Sequence, residues 1–143
     1  MPVAHFHVPQ GIADDHQKRS LLIQSSKSYS AILQSPIERV RTFFVEYDPK
    51  SVAAAGEIVA ESGLSATYFT AIVLAGRPVA QRRELLAAFT DLLVDILEVE
   101  RTLVRGQIIE VSPENWGIAG ILASAMRSAE ISEREARANS NYP

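Results

Sequence analysis

The residue with the most distinctive chemistry in this sequence is Pro2, which directly follows the initiator methionine. If Met1 is removed, Pro2 presents a secondary amine that its own ring holds rigidly. An ordinary α-amino group has a pKa of about 7.7–8.0, and nearby arginines or loss of solvent lower it. A neutral amine would be a general base that moves a proton α to a carbonyl group. A protonated amine would instead be a general acid for hydration or decarboxylation.

Arg77 is the second candidate, because the sequence Gly76-Arg77-Pro78 lies between a predicted strand and a predicted helix. A carboxylate at such a turn can bind both the guanidinium fork and the helix amino terminus. A plain surface arginine on a turn is the alternative. Arg105, before the last predicted strand, could bind the same carboxylate or could simply be solvated.

Several other side chains could take part, and each has a structural alternative. Trp116 could form a pocket wall, or pack in the core or at a subunit interface. Glu38 could assist a proton transfer, or be an exposed turn acid beside Arg39. His5 and His7 share one strand face and could bind metal, but no third ligand is evident. We therefore predict no metal site, and no glycine-rich phosphate loop is evident.

Two strand-helix-strand patterns position these residues, with a period of about 65 residues. Strands are predicted at residues 3–8, 40–47, 67–75 and 107–111. A helix follows the first strand from residue 13, and another follows the third from Pro78. Short loops around such a helix imply parallel pairing within each unit. The pattern predicts an α/β (α+β) fold with a four-stranded sheet and two helices on one face.

The domain organisation follows from the same pattern. We interpret residues 1–127 as one domain of two β-α-β units, about 2–49 and 66–127. The segment 50–65 between them is small, polar and flexible in composition, which is typical of a linker. Residues 128–143 are charged and lack an apolar stripe, which predicts a frayed helix or a disordered C-terminal tail.

Length and composition exclude several classes of protein. The 143 residues are 47% hydrophobic and 22% charged, as in a globular domain. A net charge of -3 argues against a nucleic-acid partner. The longest apolar stretch, residues 68–75, is too short for a membrane helix, and the start lacks the features of a secretory signal. We therefore expect a cytoplasmic protein without a membrane partner. The absence of cysteine excludes disulfides and thiolate chemistry.

Together these features resemble the tautomerase superfamily. The resemblance rests on the Met-Pro start, the two β-α-β units, Gly76-Arg77 and the sequence Asn-Trp-Gly-Ile-Ala-Gly at residues 115–120. This superfamily includes 4-oxalocrotonate tautomerase (4-OT), malonate semialdehyde decarboxylase and cis-3-chloroacrylic acid dehalogenase. The resemblance covers roughly residues 2–127. The chain is similar to the fused, long-chain members of this superfamily, which form trimers of double units.

The resemblance implies a role for each matched residue. Pro2 corresponds to the family's amino-terminal proline. Arg77 and Arg105 correspond to its first and second substrate-binding arginines. Trp116 corresponds to the aromatic residue that forms the apolar wall of the pocket.

Departures from the family pattern qualify these roles. Unit one has Ile12 in place of the family's first arginine, and Arg41 lies near the position of the second. Unit two has Thr67 in place of the proline. The halves are therefore complementary, because one keeps the proline and the other keeps the arginines. Glu38 is similar in position to an aspartate that assists the decarboxylase. Asn115 lies in the substrate region where the dehalogenase has a water-activating glutamate, which argues against dehalogenation.

The resemblance thus implies a cofactor-independent tautomerase, a homotrimer, that acts on a small 2-oxo or enol carboxylic acid with Pro2 as general base. One alternative is a lyase similar to malonate semialdehyde decarboxylase or a hydratase, with protonated Pro2 as general acid and Glu38 assisting. The other is a non-catalytic scaffold or interaction protein. That last reading gains if Met1 stays on the chain, because Pro2 then has no free amine.

Overall fold

A computed structural model describes residues 2–140 as two strand-helix-strand units that share one sheet. The strands are β1 (Val3–Pro9), β2 (Arg41–Tyr47), β3 (Ala53–Ala54), β4 (Glu57–Ile58), β5 (Thr67–Leu74), β6 (Val104–Val111), β7 (Gly117–Ile118) and β8 (Ile121–Leu122). The helices are α1 (Asp15–Leu33), α2 (Val59–Ser62), α3 (Val79–Leu97), α4 (Ala123–Met126) and α5 (Ser128–Ser140). No helix in this part of the chain is both long and apolar enough to cross a membrane.

The four long strands form one sheet in the order β2-β1-β5-β6. β1 pairs with β2 and β5 pairs with β6 in parallel, which confirms the pairing predicted within each unit. β1 and β5 pair in antiparallel fashion, with Val3 opposite Ile72. Because of this junction, β1 and β2 begin at the same end of the sheet where β5 and β6 finish. We call this end the Pro2 end, and the opposite end, where β5 begins, the Ala66 end.

The two units repeat with an offset of 64 residues. α1 and α3 each contain 19 residues and start 64 positions apart, at Asp15 and Val79. Long-range ion pairs follow the same offset: Lys18 pairs with Glu46 in unit one, and Arg82 pairs with Glu110 in unit two. The repeat therefore extends from the backbone to individual side-chain contacts.

Residues 50–65, which we expected to be a flexible linker, belong to this repeat. They contain the hairpin β3–β4 and the short helix α2, which recur in unit two as β7, β8 and α4. Ala55 and Gly56 at the hairpin turn both have positive φ, as do Ala119 and Gly120. Two such residues form the tight turn that suits the twist of a hairpin. Small residues that resemble a linker are here the sequence of a defined turn.

The core lies between the sheet and the two long helices, which both cover the same face, as predicted. Phe89 of α3 is at its centre, with its ring centroid 5.3 Å from that of Phe6, 5.6 Å from Phe69 and 5.2 Å from Tyr29. Gly106 of β6 lies against the Phe69 ring so closely that a Cβ atom at this position would overlap it. This packing fixes β5 and β6 against α3.

The opposite face of the sheet carries a row of stacked rings. His5 stacks on Phe43 with ring centroids 5.0 Å apart, and His7 stacks on both Tyr47 and Tyr68. Phe43 is 48% exposed. Neither long helix covers this face, so it presents aromatic surface that single chains usually bury. We call it the open face.

The C-terminal segment continues as helix α5 as far as Ser140, and residues 141–143 lie outside the described residues. The sequence left open whether this segment is a frayed helix or a disordered tail. Ile131, Arg134 and Ala138 are half-buried and share one helix face. An arginine thus occupies the middle of the inward face, which explains why no apolar stripe was visible.

Candidate active site

The topology brings five of the predicted site residues to the Pro2 end. Pro2 precedes β1 and Glu38 precedes β2. Arg77 follows β5, while Asn115 and Trp116 follow β6. These residues come from both units, so neither unit alone contains this combination.

Pro2 lies at the start of an inner strand of the sheet. The residue is buried, and its carbonyl oxygen accepts a hydrogen bond of 2.9 Å from the Arg41 amide. The next residue, Val3, is paired with Arg41 on one side and with Ile72 on the other. This double pairing fixes the position of the backbone from which Pro2 extends.

Arg77 is half-buried in the turn between β5 and α3. One terminal nitrogen, Nη1, donates to the Leu33 carbonyl at 2.5 Å and lies 3.5 Å from Gln81 Oε1. Pro78 precedes the first residue of α3, and no side chain caps that helix. The first backbone amides of an uncapped helix favour an anion, as does the guanidinium group beside them. This turn can therefore hold a carboxylate.

Tyr29 is a residue at this end that sequence reasoning did not assign to the site. Its hydroxyl group is buried, donates to the Ile72 carbonyl at 2.5 Å and lies 3.4 Å from the Val3 carbonyl. Burial raises the pKa of Tyr29 well above its usual value, although the positive charge of Arg77 and the hydrogen bond to Val3 act the other way. Tyr29 therefore remains a neutral donor that joins β1 to β5 near Arg77. The signal was a tyrosine on the apolar face of α1, because a buried hydroxyl needs a partner.

A cavity of about 370 Å³ lies next to Arg77. It is bounded by the end of α1 and the turn after it, by the start of α3 and by α5. Among the described residues, the charged side chains of its lining are Arg39, Arg77, Glu133, Arg134 and Arg137. The described part of the lining is therefore rich in arginine.

Arg105 lies at the Ala66 end, away from Pro2 and Arg77 of the same chain. β6 begins at Val104 and not at residue 107, so Arg105 is part of the strand. Its Nη1 donates to the carbonyls of Thr102 and Val104 at 2.8 and 3.1 Å. Together with Ala66 it lines a second cavity of about 660 Å³. Within one chain, therefore, Arg105 does not share the cavity of Arg77.

The repeat identifies which residue takes the equivalent place beside Pro2. The offset of 64 relates Arg105 to Arg41 and Ala66 to Pro2. Arg41 Nη1 donates to the carbonyls of Glu38 and Val40 at 2.8 and 3.1 Å, the same arrangement as in unit two. Arg41 is therefore the strand arginine next to Pro2.

The same offset refines the register proposed from the sequence. The partner of Pro2 in unit two is Ala66, one residue before Thr67. The partner of Arg77 in unit one is Ala13, one residue after Ile12. The period of about 65 residues predicted from the sequence is one residue longer than the offset of the two long helices, because the two halves have too little identity to fix the register. The conclusion that the halves are complementary is unchanged, since Ala66 is not a proline and Ala13 is not an arginine.

The remaining predicted residues differ in their exposure. Trp116 is half-buried, and its indole Nε1 has no hydrogen-bond partner among the described residues. Asn115 is exposed, and its amide donates to the Ser112 carbonyl at 2.8 Å. The Glu38 side chain is exposed, while its carbonyl oxygen accepts from Arg41. Trp116 is thus partly buried, and the Glu38 side chain is accessible to solvent.

The two histidines on the open face form an aromatic pair in place of a ligand set. Burial, followed by the neighbouring His5, lowers the pKa of His7. His7 Nδ1 also makes a short hydrogen bond with the Tyr47 hydroxyl. Among the side chains that the structure describes, in residues 2–127 and 131–140, no group of three or more acidic or histidine residues could hold a metal ion.

Comparisons with known proteins agree with this fold. The family model described as "Tautomerase enzyme" matches residues 72–126, and no curated protein matches the chain. The crystal structure of a native fused 4-OT is 26% identical, covers 87% of this chain and 98% of its own, and has a TM-score of 0.81. A wild-type fused 4-OT described as a symmetric trimer is 25% identical with the same coverage and a TM-score of 0.79. A third structure, of a protein inactivated by 2-oxo-3-pentynoate, is 24% identical with the same coverage and a TM-score of 0.80.

Proposed function

We propose that this chain is a fused, two-unit member of the tautomerase superfamily and a cofactor-independent tautomerase of small 2-oxo or enol carboxylic acids. The observation that supports the proposal is that Pro2 from unit one and Arg77 from unit two lie at the same end of one sheet. A base for proton transfer and a cation for a carboxylate are the two groups that this reaction requires. A cytoplasmic location is part of the same proposal.

The reaction moves one proton between oxygen and carbon. Arg77 and the first amides of α3 bind the substrate carboxylate. After removal of Met1, the neutral amine of Pro2 takes the proton from the enol oxygen. The protonated amine then gives a proton to the other carbon of the enol double bond, which becomes the α-carbon of the 2-oxo acid. The positive charges of Arg41 and Arg77 favour the neutral amine, because they disfavour a second positive charge nearby. Trp116 forms an apolar wall that excludes water.

Arg41 and Arg105 have different places in this proposal. Arg41 is adjacent to Pro2 within the chain and stabilises developing negative charge on the substrate. Arg105, at the Ala66 end, serves a substrate only where a neighbouring chain brings it to the Pro2 end. Its substrate-binding role is therefore tied to assembly.

The assembly that we propose is a homotrimer. The open face carries the exposed rings of Phe43 and Tyr68 beside the half-buried His5, and a neighbouring chain would bury them. A similar fused 4-OT is itself described as a symmetric trimer. Light scattering should give about three times the chain mass of 15.7 kDa. A monomer at micromolar concentration would contradict the assembly and the role of Arg105.

A lyase remains the second candidate because Glu38 lies in the turn before β2, next to the arginine that contacts Pro2. The test is a paired assay of phenylenolpyruvate ketonisation and malonate semialdehyde decarboxylation on the wild type and on Glu38→Gln. We expect ketonisation to be the faster reaction. We also expect Glu38→Gln to stay within a few-fold of the wild type, since this side chain is exposed and its carbonyl contact is kept.

Two results would redirect the proposal. Faster decarboxylation that Glu38→Gln abolishes, with ketonisation spared, would establish the lyase. Absence of both reactions in a trimer from which Met1 has been removed would favour the non-catalytic scaffold. Intact mass shows whether Met1 is gone and has to accompany the assay.

A further inference from the structure

The hydroxyl group of Tyr29 connects the two strands that carry the candidate catalytic residues. Tyr29 belongs to α1 and is completely buried. Its hydroxyl donates to the Ile72 carbonyl of β5 at 2.5 Å and lies 3.4 Å from the Val3 carbonyl of β1. Val3 and Ile72 are partners in the antiparallel junction of the two units. Because Val3 directly follows Pro2 and β5 leads into the turn of Arg77, this contact lies between the two halves of the candidate site.

The internal repeat shows that packing alone does not require this hydroxyl group. The buried residues of the two long helices correspond one to one with the offset of 64, namely Leu21, Ser25, Tyr29 and Leu33 in α1 and Leu85, Phe89, Leu93 and Leu97 in α3. Leu93 therefore takes the place of Tyr29 in unit two, and it is equally buried. Since α3 begins at the Pro2 end and runs away from it, Leu93 lies towards the Ala66 end. The polar group is thus specific to the end of the sheet that carries the candidate site.

The last part of α1 makes a second contact with this site. One turn after Tyr29, the Leu33 carbonyl accepts a hydrogen bond of 2.5 Å from Arg77 Nη1. A buried hydroxyl group is costly unless it is hydrogen-bonded, so the contacts of Tyr29 are needed wherever this residue is used in place of leucine. α1 therefore bonds the strand of Pro2, the strand that leads to Arg77, and Arg77 itself.

We infer that Tyr29 is a positioning residue for the proposed reaction, because its hydroxyl group holds β1 against β5 and so sets the separation between Pro2 and Arg77. The inference rests on the proposed function for the roles of these two groups. Proton transfer requires the reacting atoms to lie within about 3–3.5 Å, and a displacement of about 1 Å can lower the rate about 10²-fold. A loosened junction would leave the carboxylate bound to Arg77 but would bring the amine into reach less often.

Tyr29 takes no part in the proton transfer itself. Its hydroxyl group contacts backbone carbonyls, and burial raises its pKa well above the usual value. It therefore stays protonated over the pH range of an enzyme assay, and its removal should leave the shape of the pH profile unchanged.

Tyr29→Phe removes the hydroxyl group and keeps the ring. In ketonisation of phenylenolpyruvate, kcat should fall roughly 10-fold, because the amine is no longer held in place. KM should stay within about 2-fold, because Arg77 and the first amides of α3 are unchanged. Tyr29→Leu copies Leu93 of unit two, which shows that the fold accepts leucine at this place, and should lower kcat at least as much.

Ser26→Ala is the matched control, since it removes another hydroxyl contact between α1 and the sheet. Ser26 Oγ lies 3.1 Å from Thr42 Oγ1 of β2, so this contact does not involve the junction of β1 with β5. The variant should keep kcat within about 2-fold, and thermal unfolding verifies that all variants are folded in the assay. An unchanged kcat in Tyr29→Phe, a loss confined to KM, or an equal loss of kcat in Ser26→Ala would overturn the inference.

Alkylation of the Pro2 amine separates this inference from the proposed function. The probe is 2-oxo-3-pentynoate, whose alkyne is conjugated to a ketone and adds to a neutral amine without any turnover of an enol acid. Intact mass follows the reaction, and at saturating probe its rate should also fall roughly 10-fold in Tyr29→Phe. If this rate falls but the wild type converts no enol acid, the proposed function fails and the inference stands. If the wild type converts enol acids but Tyr29→Phe changes neither kcat nor the alkylation rate, the inference fails and the proposed function stands.

Discussion

Replacing Pro2 with alanine, or adding one residue before it, should lower turnover of an enol acid by roughly 10²-fold or more, the usual contribution of a positioned general base. The two variants act in different ways. Alanine removes the ring that holds the amine in one direction, whereas an added residue turns the amine into an amide that does not titrate. Steady-state assays of phenylenolpyruvate ketonisation measure both effects.

The control for this experiment lies at the equivalent position of unit two. Ala66→Gly changes the residue that corresponds to Pro2 in the repeat, 64 positions later. This variant should leave turnover unchanged, because no free amine exists at that position. Circular dichroism and light scattering verify that each variant keeps the fold and the assembly. Unchanged turnover in both Pro2 variants would show that the amine is not the catalytic group.

Arg77→Ala should lower kcat/KM, mostly through a higher KM, because a substrate carboxylate would lose its charged partner. The corresponding loss of transition-state stabilisation should be about 2–4 kcal/mol. The loss exceeds that of an ordinary surface arginine because Arg77 is half-buried and lies beside the uncapped start of α3. Arg77→Lys keeps the charge but removes the fork, and should recover only part of the activity.

Arg83→Ala is the matched control, since Arg83 is an exposed arginine of the same helix. It should leave kcat/KM within about 2-fold, as expected of an isolated surface charge. The hydrogen bond from Arg77 to the Leu33 carbonyl also holds the turn in place, so thermal unfolding has to be measured for Arg77→Ala. A loss of activity that only parallels a loss of folded protein would contradict a binding role.

The parallel pairs of the sheet were predictable, because strand-helix-strand patterns with short loops permit little else. The antiparallel junction of β1 with β5 was not, since no local pattern determines which edges of two units meet. That junction is what brings Pro2 and Arg77 to one end. Local patterns do not show that these two residues belong to one site. The resemblance to the tautomerase superfamily is what predicted it.

Three features of the structure could not be read from the sequence. Alanine and glycine occur both in flexible chains and in tight turns, so the composition of residues 50–65 does not distinguish a linker from a hairpin. Matching by sequence does not show at which end of a sheet Arg105 lies, so its place in the site stays a prediction that depends on assembly. Helical spacing does not reveal the hydrogen bonds from the buried Tyr29 hydroxyl to two strands.

Because Ala66 lies inside the chain, unit two has no free amine at the position that corresponds to Pro2. Its nitrogen is joined to Ser65 in a peptide bond, and the amide donates to the Leu64 carbonyl at 2.9 Å. A proline introduced there would have no titratable nitrogen, so no substitution restores a second amine. Under the proposed function, a chain of two joined units therefore offers one amine for catalysis, where two separate units would offer two. The proposed reaction then places no requirement for a proline at the start of unit two.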